Sequence, residues 1–487
     1  MILDEMSYCT VAQRFTPTIL VLAISWAVPV RAQGTPQIEI DAAAIASDGG
    51  RLADDSLRGR FAGSDGGQTA ARYIADRCAG LGLVPVGGTY LHPLPILRTE
   101  VGPQTRLTVT RGSEQAFSAP SDMIPDRGGA IGGFQGSAVY VGTNQSITTG
   151  RLADFGIRDH VAVSAGVLSR GAKDTLSRRG ATGVVQLAGS QDAFEGFREQ
   201  VGRDRYHLPD SIASSFFGSM PSIVAGYQVT GALIANTPMA AGDLVTPRRM
   251  SSSLQYAPQL TEHVTRTHNV ACALAGSTRR TIIVGAHYDH LGVGIPDAHG
   301  DSVYNGFSDN AAGVGMVLAM AAALANEART HTIMFLFFDG EELGLLGADA
   351  YIHSPLVPLA ETEAIIVLDA GAPPGPPTSW ELASTPELGQ VAVDIAQEHG
   401  WNARVSHARP NSDYYPFTLK GVEGMLIIPG PDPYEGLTES ETRLLRARWD
   451  HYHQPDDEWS VAYPMSGLTR YAGYALSIVR RLDVPAR

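Results

Sequence analysis

Cysteine is scarce: the 487-residue chain has three, at positions 9, 78 and 272. No spacing among them makes a zinc knuckle, so any metal chemistry has to come from other side chains. An excess of basic residues is also missing. Lys and Arg total 36 against 50 Asp and Glu, for a formal net charge of -14. That balance excludes the usual nucleic-acid binder, which presents a basic face. The chain has no short-period repeat and no low-complexity tract, and past its N-terminus no segment reads as membrane-spanning. With 44% hydrophobic and 18% charged residues, the composition suits large cores spread over two or three domains.

The N-terminus, by contrast, carries a marked pattern. Arg14 precedes "FTPTILVLAISWAVPVRAQG", whose apolar part covers residues 19–28 and which passes through Val30-Arg31-Ala32. This reads as a secretory signal peptide over residues 1–32, cut after Ala32. The apolar part is short for a membrane span. The expectation is export to the periplasm or the medium, with no stable membrane insertion once the signal is removed. Cys9 would leave with it. In an oxidising compartment Cys78 and Cys272 either pair or stay as buried thiols.

Residues 40–98 read as helical, with Ala70, Tyr73, Ile74 and Cys78 at helical spacing, and residues 100–128 as polar and turn-rich. From 130 to 250 short valine-rich runs such as "GSAVYVG", "DHVAVSAG" and "ATGVVQLAG" lie between glycines, as in a small β-rich insertion. After residue 280 come continuous apolar runs: "TIIVGAH", "HTIMFLFFD", "EAIIVLDA" and "GMLIIPG". Continuous rather than alternating hydrophobicity means strands covered on both faces. The expectation is an α/β fold with a mostly parallel sheet flanked by helices.

Acids and imidazoles follow these runs. The first ends at His287 and Asp289, and Asp309 precedes a long helix. "FLFFDGEELG" delivers Glu341 and Glu342, "EAIIVLDAG" ends at Asp369, and "WDHYHQPDDEW" supplies His451 and His453. Open α/β sheets build their sites at the carboxyl ends of strands. Crowded carboxylates with few basic neighbours need protons or a cation, and mixed imidazole and carboxylate donors suit zinc.

The motifs "GAHYDHLG", "YNGFSDNAAGVG", "FFDGEELGLLGADAY", "VLDAG", "SDYYPF" and "YHQPDDEW" together resemble the M28 family of secreted zinc aminopeptidases. The resemblance implies a zinc exopeptidase type of α/β fold, phosphorylase/hydrolase-like, with a mostly parallel twisted sheet flanked by helices and an inserted small β-rich PA domain. The implied domains are an N-terminal helical segment over 33–128 packing on the peptidase domain, a PA-like insert over 129–250, and the peptidase over 251–487. It further implies two Zn2+ per chain. His287 and Asp369 would bind one, His453 and Glu342 the other, and Asp309 would bridge them. Asp289 would hold the ring of His287, Glu341 would be the general base, and Tyr452 would stabilise an oxyanion. The substrates would be peptides, cut at the N-terminal bond.

Bland readings suit several neighbours: polar loops for His290 and His299, a surface role for His451, a turn for Asp456 and Asp457, and a structural role for Asp339. Ser412 and Asp413 fit a pocket wall or a turn equally. The chain departs from the family pattern at Ser308 and at Tyr414, the latter on the presumed substrate side. The rival readings are a carboxypeptidase or dipeptidase using Arg404 or Arg409, a glutaminyl cyclase, and a non-catalytic binding protein on the same scaffold.

Overall fold

The computed structural model describes residues 40–484, apart from 127–128, 149–151, 153–154, 202–203, 210–213, 215–217, 219 and 235–245. The expected signal peptide lies outside the described residues.

Two helices open the fold, α1 (Ala42–Leu52) and α2 (Asp65–Gly80), capped at their N-termini by Asp41 and Ser64. The expected helical reading stops there. Residues Leu91–Val101 form a strand, β1, with Leu94 and Ile96 buried two apart, the period of a sheet rather than a helix. The main sheet continues with β2 (Asp204–His207), β3 (Leu260–Leu274), β4 (Thr281–His287), β5 (Thr332–Phe338) and β6 (Thr362–Val367). It ends with β7 (Ser379–Ser384), β8 (Asn402–His407) and β9 (Glu423–Pro429). Their order across the sheet is β8-β7-β9-β6-β4-β5-β3-β1-β2.

Strands β5, β4, β6 and β9 run parallel at its centre. Antiparallel pairs extend it on both sides, so the sheet is mixed, with the expected parallel part in the middle. Six of the seven residues of β5 and all seven of β4 are buried, because helices cover the sheet. One of them, α3 (Ala312–Leu324), is apolar nearly all round and almost wholly buried, as such a helix must be. Gly315 lets α1 lie against it: a Cβ there would sit 2.9 Å from the Ile45 carbonyl oxygen.

A second sheet of eight strands makes a separate layer with its own apolar core, including Tyr140, Val163, Val185 and Ile223. It runs from Arg106 to Ala257, wider than the 129–250 expected. The first hairpin, Arg106–Arg111 with Ser113–Ser118, read as polar turns because its outer strand is exposed along most of its length.

Cys78 of α2 and Cys272 of β3 form a disulfide across 194 residues of chain, both fully buried. Closing so long a loop restricts the unfolded chain, an effect worth about 2–5 kcal/mol. We expect Cys78→Ser/Cys272→Ser to lower stability by that amount in denaturant titration. An unchanged midpoint, or two free thiols titrated in the unfolded wild type, would contradict the pairing.

Candidate metal centre

The carboxyl ends of three adjacent parallel strands deliver most of the site. His287 closes β4, Glu341 and Glu342 follow β5, and Asp369 follows β6. Asp309 comes from the kinked segment Phe307–Ala311 ahead of α3, where the Asp309–Asn310 peptide is cis. His453 enters from the loop after helix Glu439–Trp449, in a left-handed backbone conformation with φ of 57°.

These side chains meet in two groups that share Asp309. In the first, His287 Nε2 lies 2.9 Å from Asp369 Oδ1 and 3.2 Å from Asp309 Oδ1. In the second, His453 Nε2 lies 3.0 Å from Asp309 Oδ2 and 3.2 Å from Glu342 Oε1. Every expected ligand position is therefore in one cluster. His290, expected in a polar loop, is here too: it is fully buried, with Nδ1 2.8 Å from Glu342 Oε1. The turn after β4 folds back into the cavity, and spacing along the chain carried no sign of that.

Burial and neighbours set opposed protonation states. Against the upward push of burial, hydrogen bonds with His287 and His453 hold Asp309 well below the usual carboxylate range. Glu342 is lowered against burial by His290 and His453. Desolvation works against the charged form of His453, yet bonding to Asp309 and Glu342 lifts it to about 9. Burial raises Asp369, with His287 opposing. Glu341 lies well above its ordinary value. Burial is the main cause, and the charges of Asp369, Glu342 and Asp413 add to it while His287 opposes them. Carboxylates forced together in this way, beside imidazoles that accept a proton or a metal equally well, are what a divalent cation relieves. The donor set of imidazole nitrogens and carboxylate oxygens fits zinc.

Asp289 lies beside the His287 ring, as expected of its position, and has a second set of contacts. Its carboxylate is 3.6 Å from His287 Nδ1, beyond a hydrogen bond. The ring instead meets the Asp289 backbone carbonyl at 3.1 Å. The carboxylate accepts the backbone N–H groups of Glu341 and Glu342 at 3.1 and 3.3 Å. It thus clamps the end of β5 to the end of β4 and fixes the course of the adjacent glutamates.

Asp457 closes the expected turn, its N–H donating to the Gln454 carbonyl at 3.2 Å, and its side chain does more. It is buried and accepts the N–H groups of Ser308 and Asp309. Burial, opposed by the bond from Ser308, raises it to about 6. Ser308 itself accepts from Ala372 N–H at 2.7 Å and stays out of the cluster. Ser412 Oγ donates to Asp369 Oδ2 at 2.5 Å. Asp413 is buried without a hydrogen bond, and burial pushes its carboxyl well up. Asp339 is buried and accepts from the Thr267 hydroxyl, and burial, with the charge of Asp289 adding, raises it to about 8.

Tyr414 departs from the expected substrate side. It is fully buried, and its hydroxyl binds the backbone of Arg409 and Asn411 Oδ1. Tyr452 stacks on His453 with ring centroids 3.8 Å apart and is 64% exposed at the mouth of the site. A pocket of about 450 Å³ opens beside it, lined by Asp297, His299, Asp450, His451 and Asp456 among others and by no Lys or Arg. His451 pairs with Asp456 at 2.9 Å. Arg404 lies on edge strand β8, four strands from β4, about 19 Å away at sheet spacing.

Arg60 ties the loops together. Fully buried, it donates to the carbonyls of Leu52, Tyr288, Asn305 and Gly306 at 2.5–2.9 Å. Arg60→Met would take a donor from each of four buried carbonyls, of which Gly306 keeps the Ala311 N–H at 3.2 Å. At roughly 1–3 kcal/mol for a buried unsatisfied group, we expect a loss of about 3 kcal/mol or more in denaturant unfolding, not restored by Lys. A loss below about 1 kcal/mol would mean that water replaces the guanidinium.

Residues 269–477 match the family model described as peptidase family M28. Over 175 residues the chain is 32% identical to aminopeptidase YwaD of Bacillus subtilis (strain 168), covering 33% of this chain and 34% of that one. Over 69 residues it is 42% identical to the vacuolar membrane protease of Yarrowia lipolytica, covering 13% and 7%. The matched segment thus spans about a third of the Bacillus relative. Among solved structures the fold is similar to an aminopeptidase from Aneurinibacillus sp. strain AM-1, with a TM-score of 0.55 at 18% identity over 92% of this chain and 95% of that one.

Proposed function

We propose that this chain, whose residues 269–477 match the peptidase family M28 model, is an exported dinuclear zinc aminopeptidase. The observation that carries the reading is the pair of donor groups sharing Asp309, with the unligated Glu341 beside them. His287 and Asp369 would hold one zinc, His453 and Glu342 the other, and Asp309 both. Bound there, zinc supplies Lewis acidity toward the scissile carbonyl and toward a water.

Glu341 accepts the proton of the attacking water as the new C–O bond forms. It then returns that proton to the amine nitrogen as the C–N bond breaks. Asp289 keeps Glu341 in place by its backbone, and Ser412 keeps Asp369 oriented through a hydrogen bond. Tyr452, beside His453, is read as the group facing the carbonyl oxygen.

The carboxylates Asp297, Asp450 and Asp456 around the pocket beside Tyr452 would favour a substrate that brings a protonated amine, and so an N-terminus. Arg409, exposed and three residues before Ser412, supports the carboxypeptidase alternative. The buried disulfide supports export, and the lobe on the second sheet is read as the PA-type insert.

The test pairs zinc content with turnover on aminoacyl and N-blocked peptides. Near two zinc per chain and cleavage only at free N-termini are expected. Cleavage of N-blocked peptides, lost in Arg409→Ala, would replace this reading with the carboxypeptidase one.

A further inference from the structure

His290 was expected in a loop, yet it is held as firmly as any ligand. Its backbone N–H donates to the Arg60 carbonyl at 3.3 Å. Its ring packs on Gly306, whose φ is 56° and where a Cβ would stand 2.5 Å from ring carbons Cγ and Cδ2. Gly306 and Asn305 are in turn gripped by the Arg60 guanidinium. The ring has no exposure to solvent, and its Nε2 has no hydrogen-bond partner. Its Nδ1 is aimed into the shared cavity, 2.8 Å from Glu342 Oε1 and 3.8 Å from Asp309 Oδ2. The His453 ring meets it edge to face, centroids 5.6 Å apart.

Four donor atoms, from His290, Asp309, Glu342 and His453, therefore lie within 4.8 Å of one another. The four imidazole–carboxylate distances among them are 2.8, 3.0, 3.2 and 3.8 Å. Donors about 2.0–2.2 Å from a tetrahedral zinc stand roughly 3.3–3.6 Å apart, so the set brackets that spacing. The other group has three donors, from His287, Asp309 and Asp369. Zinc sites closed by four protein ligands are structural, whereas three ligands leave a position open for chemistry.

We propose that His290 is a fourth protein ligand on the Glu342–His453 side, which makes that position closed and leaves the His287–Asp369 position as the open one. This rests on the dinuclear reading above and divides its two sites by task. The closed position would anchor Asp309 and Glu342, and the open position would keep a coordination place free for chemistry. The ring is not simply a hydrogen-bond donor to Glu342, because the same nitrogen also faces Asp309 and the space that His453 Nε2 faces.

The test compares three variants of the full metal-stripped chain by zinc titration calorimetry. His290→Asp keeps an oxygen donor but loses the N–H, His290→Asn keeps an N–H donor but is a poor ligand, and His290→Ala has neither. We expect Asn and Ala to weaken one of two zinc sites by ~100-fold or more, beyond the range for a partner that only supports a ligand, while Asp stays within ~10-fold of wild type. Retention in Asn with loss in Asp would make His290 a hydrogen-bond donor and overturn the proposal. Wild-type affinity in all three would overturn it as well.

X-ray absorption of the two-zinc wild type gives an answer even if a variant fails to fold. Three imidazoles over two ions average about 1.5 per zinc, against about 1 without His290. Uptake of no zinc by the wild type would instead sink the proposed function, whereas two zinc ions with about 1 imidazole each would sink this inference alone.

Discussion

Glu341→Gln is expected to lower kcat by about 10²–10⁴-fold or more while leaving zinc content unchanged. The substitution keeps the shape of the side chain and removes its basicity. It should leave the metal donors alone, since Glu341 is in neither donor group. It should also leave the backbone alone, because Asp289 holds the Glu341 N–H regardless of the side chain. Loss should fall on kcat rather than KM, as for a group used only in the transition state.

A pH profile adds a second readout. A general base works deprotonated, so kcat/KM should rise with pH through the base's apparent pKa in the wild type. That acid limb should vanish from the residual activity of the variant. Burial and neighbouring carboxylates raise Glu341 in the metal-free protein, and bound dications would pull it down, so the limb should move upward when the metal positions are only partly filled. A variant that retains most of its turnover, or loses zinc along with it, would remove Glu341 from the role of base.

The sheet was legible in the sequence for a physical reason, and so was the gathering of acids and imidazoles at its strand ends, whereas the assignment of ligands came from the family resemblance. Strands covered on both faces must be continuously apolar, and parallel strands of this kind bring the residues that follow them to one edge of the sheet. His287, Glu342 and Asp369 each follow a buried strand, so their convergence followed from the topology. What escaped notice depends on the path of turns. His290 lies only three residues past the end of β4, yet whether it points into the cavity is decided by the close approach of Gly306 and the grip of Arg60. Asp457 reads like any acid after a proline, and only the tertiary structure sets it against the N–H groups of Ser308 and Asp309. The strand Leu91–Val101 was hidden for another reason: it pairs with β3 far along the chain, and only Leu94 and Ile96 mark its alternation.

Asp309 is expected to be the residue whose loss costs both metals. Its two carboxylate oxygens face different histidines, Oδ1 toward His287 at 3.2 Å and Oδ2 toward His453 at 3.0 Å. It is 7% exposed and fixed from behind by Asp457, so no water easily takes its place. Asp369 and Glu342 each belong to one donor group only.

Three variants therefore give a distinctive pattern after dialysis. Asp369→Asn and Glu342→Gln should each retain close to one zinc per chain. Asp309→Asn should retain little of either, with affinity down by ~100-fold or more at both positions, beyond what removal of a supporting partner causes. Turnover should drop below detection in Asp309→Asn, and adding Asp369→Asn to it should change nothing further, the non-additivity of residues serving one unit. Metal analysis by plasma mass spectrometry decides the matter. If Asp309→Asn keeps one tightly held zinc, the carboxylate serves a single ion, and the two donor groups are independent sites that happen to adjoin. If it keeps neither, while each flanking variant keeps one, the shared carboxylate makes the two positions a single centre.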